Sequence, residues 1–383
     1  MQRVPLIIIT LTLITAISCN KPVTNPPSQP TTKYTLQVTN GVGSAQYAVG
    51  DTAYIFSNPP SSTQVFDKWT GDVSNLTSPN EWRSTLKMPS ANVSVTATYK
   101  TVPAVTFTNT AINGSQVYYY VPATYRGIIL PFHGTGGSAA NWAIGQAENM
   151  NFCKYAAANG YALVITESID RTDMQWDLSL TNNTDIANID VILNALQNQG
   201  TIKTGTPLYG IGMSDGSAFC SLITYLKGYK ASALYCYGGI DKVFPLTTVP
   251  TIWNMASMDI TDDPNRQITA TANYNTLTGR GIAGEYYLNT PTPLYTSRFT
   301  INAGISSTGS ASIYNALSAA GYLDGNGFLK TDPAVDSSWQ AVIPTPYNTL
   351  AIQAIEDQLY VAYAQHKFYK DSNYRTIDFF NRF

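Results

Sequence analysis

The amino-acid sequence predicts an α/β domain with a mostly parallel sheet and helices on both faces, preceded by a small all-β module. Two observations support this. From about residue 104 onward, strand-like runs alternate with helix-like runs, which is the pattern of βαβ units. Between residues 34 and 100, short runs of alternating apolar and polar residues are separated by turn-forming sequences, as in antiparallel sheets.

Residues 1–18 have the pattern of an export signal. Arg3 precedes an apolar run, Pro5 to Ile17, that is too short to span a bilayer permanently. The run leads into Ser18 and Cys19 and resembles the lipobox of bacterial lipoproteins. The resemblance implies acylation of Cys19 and an exported protein anchored in the cell envelope, at the outer membrane or the cell surface. The alternative is an ordinary cleaved signal with an incidental cysteine.

The composition argues against a polyanionic partner. Charged residues make up only 12% of the chain, the net charge is −2, and Lys and Arg form no run. Nucleic acid is therefore not an expected partner. Residues 19–33 are rich in Pro, Thr and Asn, and they are predicted to be an extended linker that carries the lipid anchor.

The all-β segment 34–100 resembles the divergent InlB B-type bacterial repeat. The resemblance rests on the opening Tyr34-Thr35-Leu36, the central Phe66-Asp67-Lys68-Trp69 and the closing run from Val95 to Tyr99. It implies a spacer or adhesion module of an extracellular protein. We interpret Trp69 as the core aromatic of the module rather than as a sugar-binding platform.

Six runs of the segment 104–383 are predicted strands, and several are almost continuously apolar, as expected of strands covered on both faces. They are residues 116–122, 127–133, 161–167, 207–213, 232–238 and 250–256. One helix is predicted from four apolar residues that fall on a single face: Ile186, Ile189, Leu193 and Leu196. Thr184 is its predicted N-cap.

A GxSxG pentapeptide lies between a predicted strand and a helix-compatible segment, with Ser214 between Gly212 and Gly216. This context is typical of a nucleophile elbow, in which the glycines permit a tight turn that exposes the serine hydroxyl. Alone, the pentapeptide is weak evidence, because short motifs arise by chance. It predicts Ser214 as a nucleophile.

A second motif, His133-Gly134-Thr135-Gly136-Gly137, ends an earlier strand and resembles the HGxGG oxyanion motif of α/β-hydrolase esterases. Such enzymes stabilise the negative oxygen of a tetrahedral intermediate with backbone N–H groups, each contributing about 3–4 kcal/mol. The resemblance assigns this role to Asp215 and Thr135, with Gly136 as the adjoining candidate.

The likeness to secreted esterases of the feruloyl esterase and polyhydroxyalkanoate depolymerase type covers roughly residues 115–260 and 355–383. It implies the α/β-hydrolase fold and ester hydrolysis through an acyl-enzyme without a cofactor.

The chain contains two histidines. In the family the histidine of the oxyanion motif braces the loop, which assigns His133 to that role. His366 is then the general base, if catalysis uses a triad. It follows a strand-like run, residues 358–365, and precedes a predicted final helix, residues 374–383.

The acid is expected after the strand 250–256, in the order Ser, Asp, His found in α/β-hydrolases. Asp259 matches the family's pattern at this position. Asp262 and Asp263 lie within one turn of it, and Asp241 ends the preceding strand, so these remain alternatives. Asp263 precedes Pro264 and is also expected to open a helix.

An insertion of roughly residues 296–348, with helical segments, separates the expected acid from His366. It is predicted to form either a lid over the site or a packed decoration. Apart from Cys19, the chain has Cys153, Cys220 and Cys236, an odd number that leaves at least one free thiol. Cys220 and Cys236 are expected in the core, and no set of metal ligands is evident.

The leading hypothesis is therefore an exported serine carboxylic ester hydrolase. Its expected substrates are acyl esters linked to polysaccharides, or polyesters. Two alternatives remain: a surface adhesion lipoprotein with an inactive hydrolase domain, and a peptidase on the same fold.

Overall fold

The computed structural model describes residues 32–260 and 263–383. The predicted signal peptide, Cys19, most of the predicted linker and Asp262 lie outside the described residues. Across those two ranges, no helix combines the length and apolarity needed to cross a bilayer.

The N-terminal module consists of two small sheets packed around one apolar core. Its strands are β1 (Lys33–Thr39), β2 (Gly41–Val42), β3 (Ala45–Ala48), β4 (Thr52–Ser57), β5 (Gln64–Gly71), β6 (Arg83–Lys87) and β7 (Val93–Thr101). One sheet has the order β3-β1-β7-β5 and the other β2-β4-β6. Trp69 is 1% exposed, and its Nε1 donates to the Glu81 carbonyl at 2.9 Å, which confirms it as a core aromatic.

The second domain is built on an eight-stranded sheet. Its strands are β8 (Thr108–Ile112), β9 (Ser115–Tyr120), β10 (Gly127–Phe132), β11 (Tyr161–Ile165), β12 (Leu208–Met213), β13 (Ala231–Tyr235), β14 (Thr251–Ala256) and β15 (Gly284–Asn289). The order is β8-β9-β11-β10-β12-β13-β14-β15. The β8–β9 and β9–β11 pairs are antiparallel, and all other pairs are parallel. This is the α/β-hydrolase arrangement, so the predicted fold class is confirmed.

Neighbouring residues of each strand point to opposite faces of the sheet. Both faces carry apolar side chains, and helices cover both. The helices are α1 (Ala147–Ala158), α2 (Thr184–Asn198), α3 (Asp215–Lys227), α4 (Arg266–Gly279), α5 (Ser307–Ala319), α6 (Tyr347–Leu350), α7 (Ile352–Tyr363) and α8 (Asn373–Phe380). In β10, Ile129 packs in the apolar cluster that includes α1 and α8. Ile128 and Leu130 pack in the cluster formed with α2, α3 and α4.

The six predicted strands coincide with β9 to β14 apart from their end residues. Two local predictions are wrong. The N-cap of α2 is Asn183, whose side chain accepts the Ile186 N–H, and Thr184 is the first helical residue. The run 358–365 is not a strand, because most of it belongs to α7; Ile355, Leu359 and Ala362 recur at helical spacing and pack into one cluster.

The insertion forms its own apolar cluster against α7 and does not lie free. Its buried residues there include Phe299, Ile313, Leu317 and Trp339. Residues 312–323 have a helical pattern in the sequence, and residues 312–319 of that run are confirmed as part of α5. The insertion also contacts the N-terminal module, where the ring centroids of Phe328 and Tyr54 lie 5.6 Å apart.

The N-terminal module is docked on the α/β domain rather than held apart as a spacer. Val65 and Val102 belong to the same apolar cluster as the large sheet. Phe56 stacks on Tyr295 with ring centroids 4.3 Å apart. Lys154 Nζ also donates to the Ser61 carbonyl at 2.7 Å. The seam between the two domains is thus both apolar and hydrogen-bonded.

Candidate active site

Ser214 stands at a sharp turn between β12 and α3, with φ +57° and ψ −124°. This conformation is rare for a residue with a side chain. The flanking glycines make it possible, because a Cβ at Gly212 would lie 2.0 Å from the Gly216 carbonyl oxygen. A Cβ at Gly216 would lie 2.3 Å from the Phe132 carbonyl oxygen. The turn therefore has the geometry of a nucleophile elbow.

Three predicted residues meet at this turn. His366 Nε2 lies 2.8 Å from Ser214 Oγ, and His366 Nδ1 lies 2.6 Å from Asp259 Oδ2. A carboxylate only accepts, so Nδ1 carries the proton and Nε2 is left to accept the serine O–H. Ser214 is half-buried, whereas the Asp259 side chain is only 3% exposed. The arrangement can remove a proton from Ser214 and stabilise the resulting imidazolium.

Asp259 follows β14 after a short turn and is held there by a cation. Nη1 of Arg266, the first residue of α4, lies 2.6 Å from Asp259 Oδ1. A buried carboxylate without a partner is costly, and the guanidinium offsets that cost while fixing the second carboxylate oxygen. Arg266 also lines the cleft in front of Ser214.

The other acid candidates that the structure describes have different roles. Asp263 Oδ1 accepts the backbone N–H of Asn265 at 2.9 Å in the turn before α4, whose N-cap is Asn265 rather than Asp263. Asp241 Oδ1 accepts from the Asn273 amide at 3.0 Å. Of the described candidates, Asp259 is the one in contact with His366.

His133 lies behind the nucleophile rather than beside it. Its Nε2 accepts the Ser168 N–H at 3.2 Å, so Nδ1 carries the proton and donates to the Gly134 carbonyl at 2.8 Å. The ring of Trp176 packs against the imidazole, with the two ring centroids 4.8 Å apart. Burial lowers the pKa of His133 to about 4, so the ring is neutral at pH 7. The His133 side chain thus connects the loops that follow β10 and β11.

The predicted oxyanion residues all lie near the elbow. Thr135 and Gly136 line the cleft together with Ser214, and Asp215 begins α3. The Gly136 N–H donates to the Met174 carbonyl at 3.2 Å, so this predicted oxyanion donor already has a hydrogen-bond acceptor. The Asp215 carboxylate accepts the Trp176 N–H at 2.9 Å on the far side of the turn. Burial raises the pKa of Asp215 above its usual range, and that hydrogen bond offsets part of the effect.

The cleft in front of Ser214 has a volume of about 450 Å³, which suits a small ligand or one end of a polymer. Polar groups dominate its wall, among them Asn141, Gln146, Asn149 and Lys367. Of the described residues, none from 296–348 lines it, so in this structure the insertion does not form its lid.

The loop that carries His366 is anchored by residues far away in the chain. Phe368 packs on Trp142 at 4.7 Å, and the Lys370 N–H donates to Glu148 Oε2 at 2.7 Å. The Asp371 carboxylate accepts from Trp82 Nε1 and forms an ion pair with Arg83, each at 2.9 Å. Trp82 and Arg83 belong to the N-terminal module. The module therefore holds the segment five residues after the catalytic candidate His366.

The three cysteines outside the predicted signal region are buried free thiols. Burial raises the pKa of each well above its usual range. Cys236 lies within 4.8 Å of ligand atoms of Asp259 and His366. Its Sγ donates to the Lys367 carbonyl at 3.4 Å. We interpret Cys236 as packing beneath the histidine loop.

Arg266 and Trp176 are the site residues that the sequence analysis missed. Neither stands in a motif, and their contacts are with residues distant in the chain, so no local pattern marks them. The Asp371 contacts were missed for the same reason. The sequence predicts only that a helix begins shortly after Asp263, which is where Arg266 lies.

The sheet order, the elbow at Ser214 and the loop after β10 define an α/β-hydrolase fold. Residues 34–103 match the divergent InlB B-repeat domain, which confirms the predicted repeat module. None of the curated proteins matches the sequence.

Three solved structures with partial similarity are an esterase from Pyrococcus furiosus, an acetyl xylan esterase from Aspergillus awamori and a carboxyl esterase from Bacillus coagulans. Their identities are 9%, 14% and 12%, with TM-scores of 0.38, 0.37 and 0.36. The matches cover 48%, 45% and 49% of this chain and 83%, 80% and 90% of those chains, respectively. At these values they carry no conclusion about the substrate.

Proposed function

We propose that the chain is a serine carboxylic ester hydrolase that works through an acyl-enzyme without a cofactor. The observation that carries the proposal is the unbroken series of contacts from Ser214 Oγ through His366 to Asp259. Ser214 is the nucleophile, His366 the general base and then acid, and Asp259 the residue that orients the imidazole.

In the proposed reaction, Ser214 Oγ attacks the ester carbonyl carbon while its proton moves to His366 Nε2. The tetrahedral oxyanion accepts hydrogen bonds from the backbone N–H groups of Thr135 and Asp215. His366 then protonates the departing alcohol, which leaves the acyl group on Ser214. Water attacks the acyl-enzyme with His366 again as base, which releases the acid and restores the serine.

The proposed substrates are acyl esters on polysaccharides, or polyesters. The polar wall of the cleft supports a hydroxyl-rich leaving group over a long alkyl chain. We further propose export and lipidation at Cys19, which would hold the enzyme at the cell envelope. Partitioning of the full-length protein into detergent, lost in Cys19→Ala, tests that anchor.

A fluorophosphonate probe tests the nucleophile directly. The folded protein is expected to be labelled once per chain, and Ser214→Ala is expected to remain unlabelled. Ser217→Ala serves as a control for a neighbouring buried hydroxyl, which donates to the Gly212 carbonyl at 2.7 Å. Failure of the intact protein to react would favour the adhesion protein with an inactive domain.

Hydrolysis of p-nitrophenyl esters alongside acetylated and feruloylated xylan then identifies the acyl group. Cleavage of peptides in place of all these esters would favour the peptidase alternative.

A further inference from the structure

A cleft with aromatic walls lies at the seam between the N-terminal module and the hydrolase domain. Its volume is about 620 Å³, larger than the cleft in front of Ser214. Five aromatic residues line it, three from the module and two from the hydrolase domain: Tyr47, Tyr54, Phe56, Tyr295 and Phe328. Neither domain alone forms this cleft.

The aromatic rings in the seam are held in fixed positions. Tyr54 and Phe328 meet edge to face at 5.6 Å, and Phe56 stacks on Tyr295 at 4.3 Å. Tyr47 donates its hydroxyl to the Gly43 carbonyl at 3.0 Å, which orients the ring. Tyr47, Tyr54 and Phe328 are half-buried, so each keeps part of its surface toward solvent. Ordered rings of this kind lose little freedom when a ligand packs on them.

The polar groups of this cleft are almost all uncharged. Thr52 and Asn326 are exposed at its edge. Among the described residues that line it, Asp51 is the only one with a formal charge. No lining residue there is a lysine or an arginine, so an anionic ligand would find no opposite charge.

The seam continues into a second cleft of about 310 Å³ that shares Thr52 and Tyr54 with the first. Its charged residues are already paired, since Arg83 bonds Asp371 at 2.9 Å and Glu81 bonds Arg375. The remaining lining is rich in threonine, at positions 77, 85, 290 and 292. The two clefts adjoin at Thr52 and Tyr54 of β4, and together we call them the seam groove.

We propose that the seam groove binds a neutral polysaccharide chain. Aromatic faces pack against the apolar C–H faces of sugar rings, while hydroxyl, amide and carboxylate groups at the edge bind the sugar hydroxyls. The two adjoining clefts, of about 620 and 310 Å³, offer room for more than one sugar ring. Such a site would hold the enzyme on a polymer independently of the chemistry at Ser214.

Affinity electrophoresis of the Ser214→Ala protein tests this binding without turnover. Native gels contain soluble arabinoxylan or mixed-linkage β-glucan, and parallel gels contain anionic polygalacturonate. We expect retardation by at least one neutral polysaccharide and none by polygalacturonate. Tyr47→Ala and Phe328→Ala, made in the same background, should each weaken binding by about three- to tenfold through loss of one aromatic contact.

Tyr99→Ala is the matched control. Tyr99 and Tyr47 are both half-buried against the core of the module and both donate their hydroxyl to a backbone carbonyl, but only Tyr47 lines the groove. Phe328→Ala changes the opposite wall, so loss of binding there does not depend on the fold of the module. Melting temperatures establish that each variant is folded.

The proposal is overturned if no neutral polysaccharide retards the protein, or if Tyr47→Ala and Phe328→Ala bind as well as the parent. Retardation by polygalacturonate alone would also overturn it. Each of these outcomes is separate from the fluorophosphonate result, which reports on Ser214.

Discussion

The nucleophile elbow and the histidine loop hold two halves of one proposed catalytic unit in different ways. At the elbow, residues 212 to 216 themselves determine where Ser214 lies, because two glycines allow its backbone to adopt φ +57° between β12 and α3. The histidine loop has no such motif. Its position depends on Glu148, on the aromatic ring of Trp142 and on Trp82 and Arg83 of the module.

This difference shows how one site can combine a rigid centre with a partner held from elsewhere. The elbow should tolerate almost no change in its own residues but be indifferent to the module. The histidine loop should respond to changes in a domain that contains no catalytic residue. The following predictions test each side, beginning with the largest effect.

Asp259→Asn is expected to lower kcat by about 10⁴-fold, because an amide favours the wrong imidazole tautomer while leaving the fold intact. Steady-state hydrolysis of a p-nitrophenyl ester measures it. Asp263→Asn is the matched control, since this carboxylate accepts one backbone N–H at the start of α4 and does not contact His366. An equal loss of kcat in both variants would refute the assignment of Asp259.

Gly216→Ala is expected to destabilise the fold by about 3 kcal/mol or more, because the new methyl would overlap the Phe132 and His133 carbonyl oxygens. Gly228→Ala, at the other end of α3, is the control. Gly228 has φ +65° but open space around its Cβ position, so only the backbone penalty of about 1 kcal/mol applies. Urea unfolding measures both. Similar costs would show that the elbow is not tightly packed.

The same contrast explains what the sequence could predict. Ser214 and the loop after His133 are marked by short motifs, because their geometry requires glycine at fixed positions. The strands were found because a sheet covered on both faces needs continuous apolar runs. His366 was reached by elimination between two histidines rather than by any local pattern.

The remaining parts of the site arise from contacts between distant segments. Arg266 meets Asp259 only because α4 returns to the end of β14, and Asp371 meets Trp82 across 289 residues of chain. The apolar residues of the run 358–365 suit either a strand or a helix, and the helix is favoured because Ile355, Leu359 and Ala362 of α7 pack together against the insertion. Periodicity of one short segment does not contain that information.

Trp82→Phe is expected to lower the free energy of unfolding by about 1.5–3 kcal/mol, because it removes a buried hydrogen bond to the Asp371 carboxylate. It should also slow fluorophosphonate labelling of Ser214 by up to about tenfold, since small displacements of a catalytic group reduce rates steeply. Trp69→Phe also loses part of a buried indole and its bond to the Glu81 carbonyl but no contact with Asp371, so it should leave the labelling rate unchanged. Unchanged labelling in Trp82→Phe would show that the module stabilises the domain without positioning His366.

The smallest effect concerns pH and the brace behind the elbow. The pKa of His133 is lowered from 6.5 to about 4 in the folded protein. Between these two pH values the imidazole is therefore mostly protonated in the unfolded chain but mostly neutral in the folded chain. Stability is therefore lost as the pH falls, by about 2 kcal/mol from this group between pH 7 and pH 5. Urea unfolding of the parent and of His133→Asn at both pH values isolates it. An equal pH dependence in the two proteins would contradict the neutral, buried brace.

The central claim is that Ser214 and His366 act as one unit. The most direct measurement is ester hydrolysis by Ser214→Ala, His366→Ala and the double variant, each verified as folded. Because residues of one catalytic unit are not additive, all three should fall to the same residual rate, about 10⁴-fold or more below the parent. If His366→Ala retains a rate within tenfold of the parent, or if the double variant is far slower than either single one, the proposed triad is wrong.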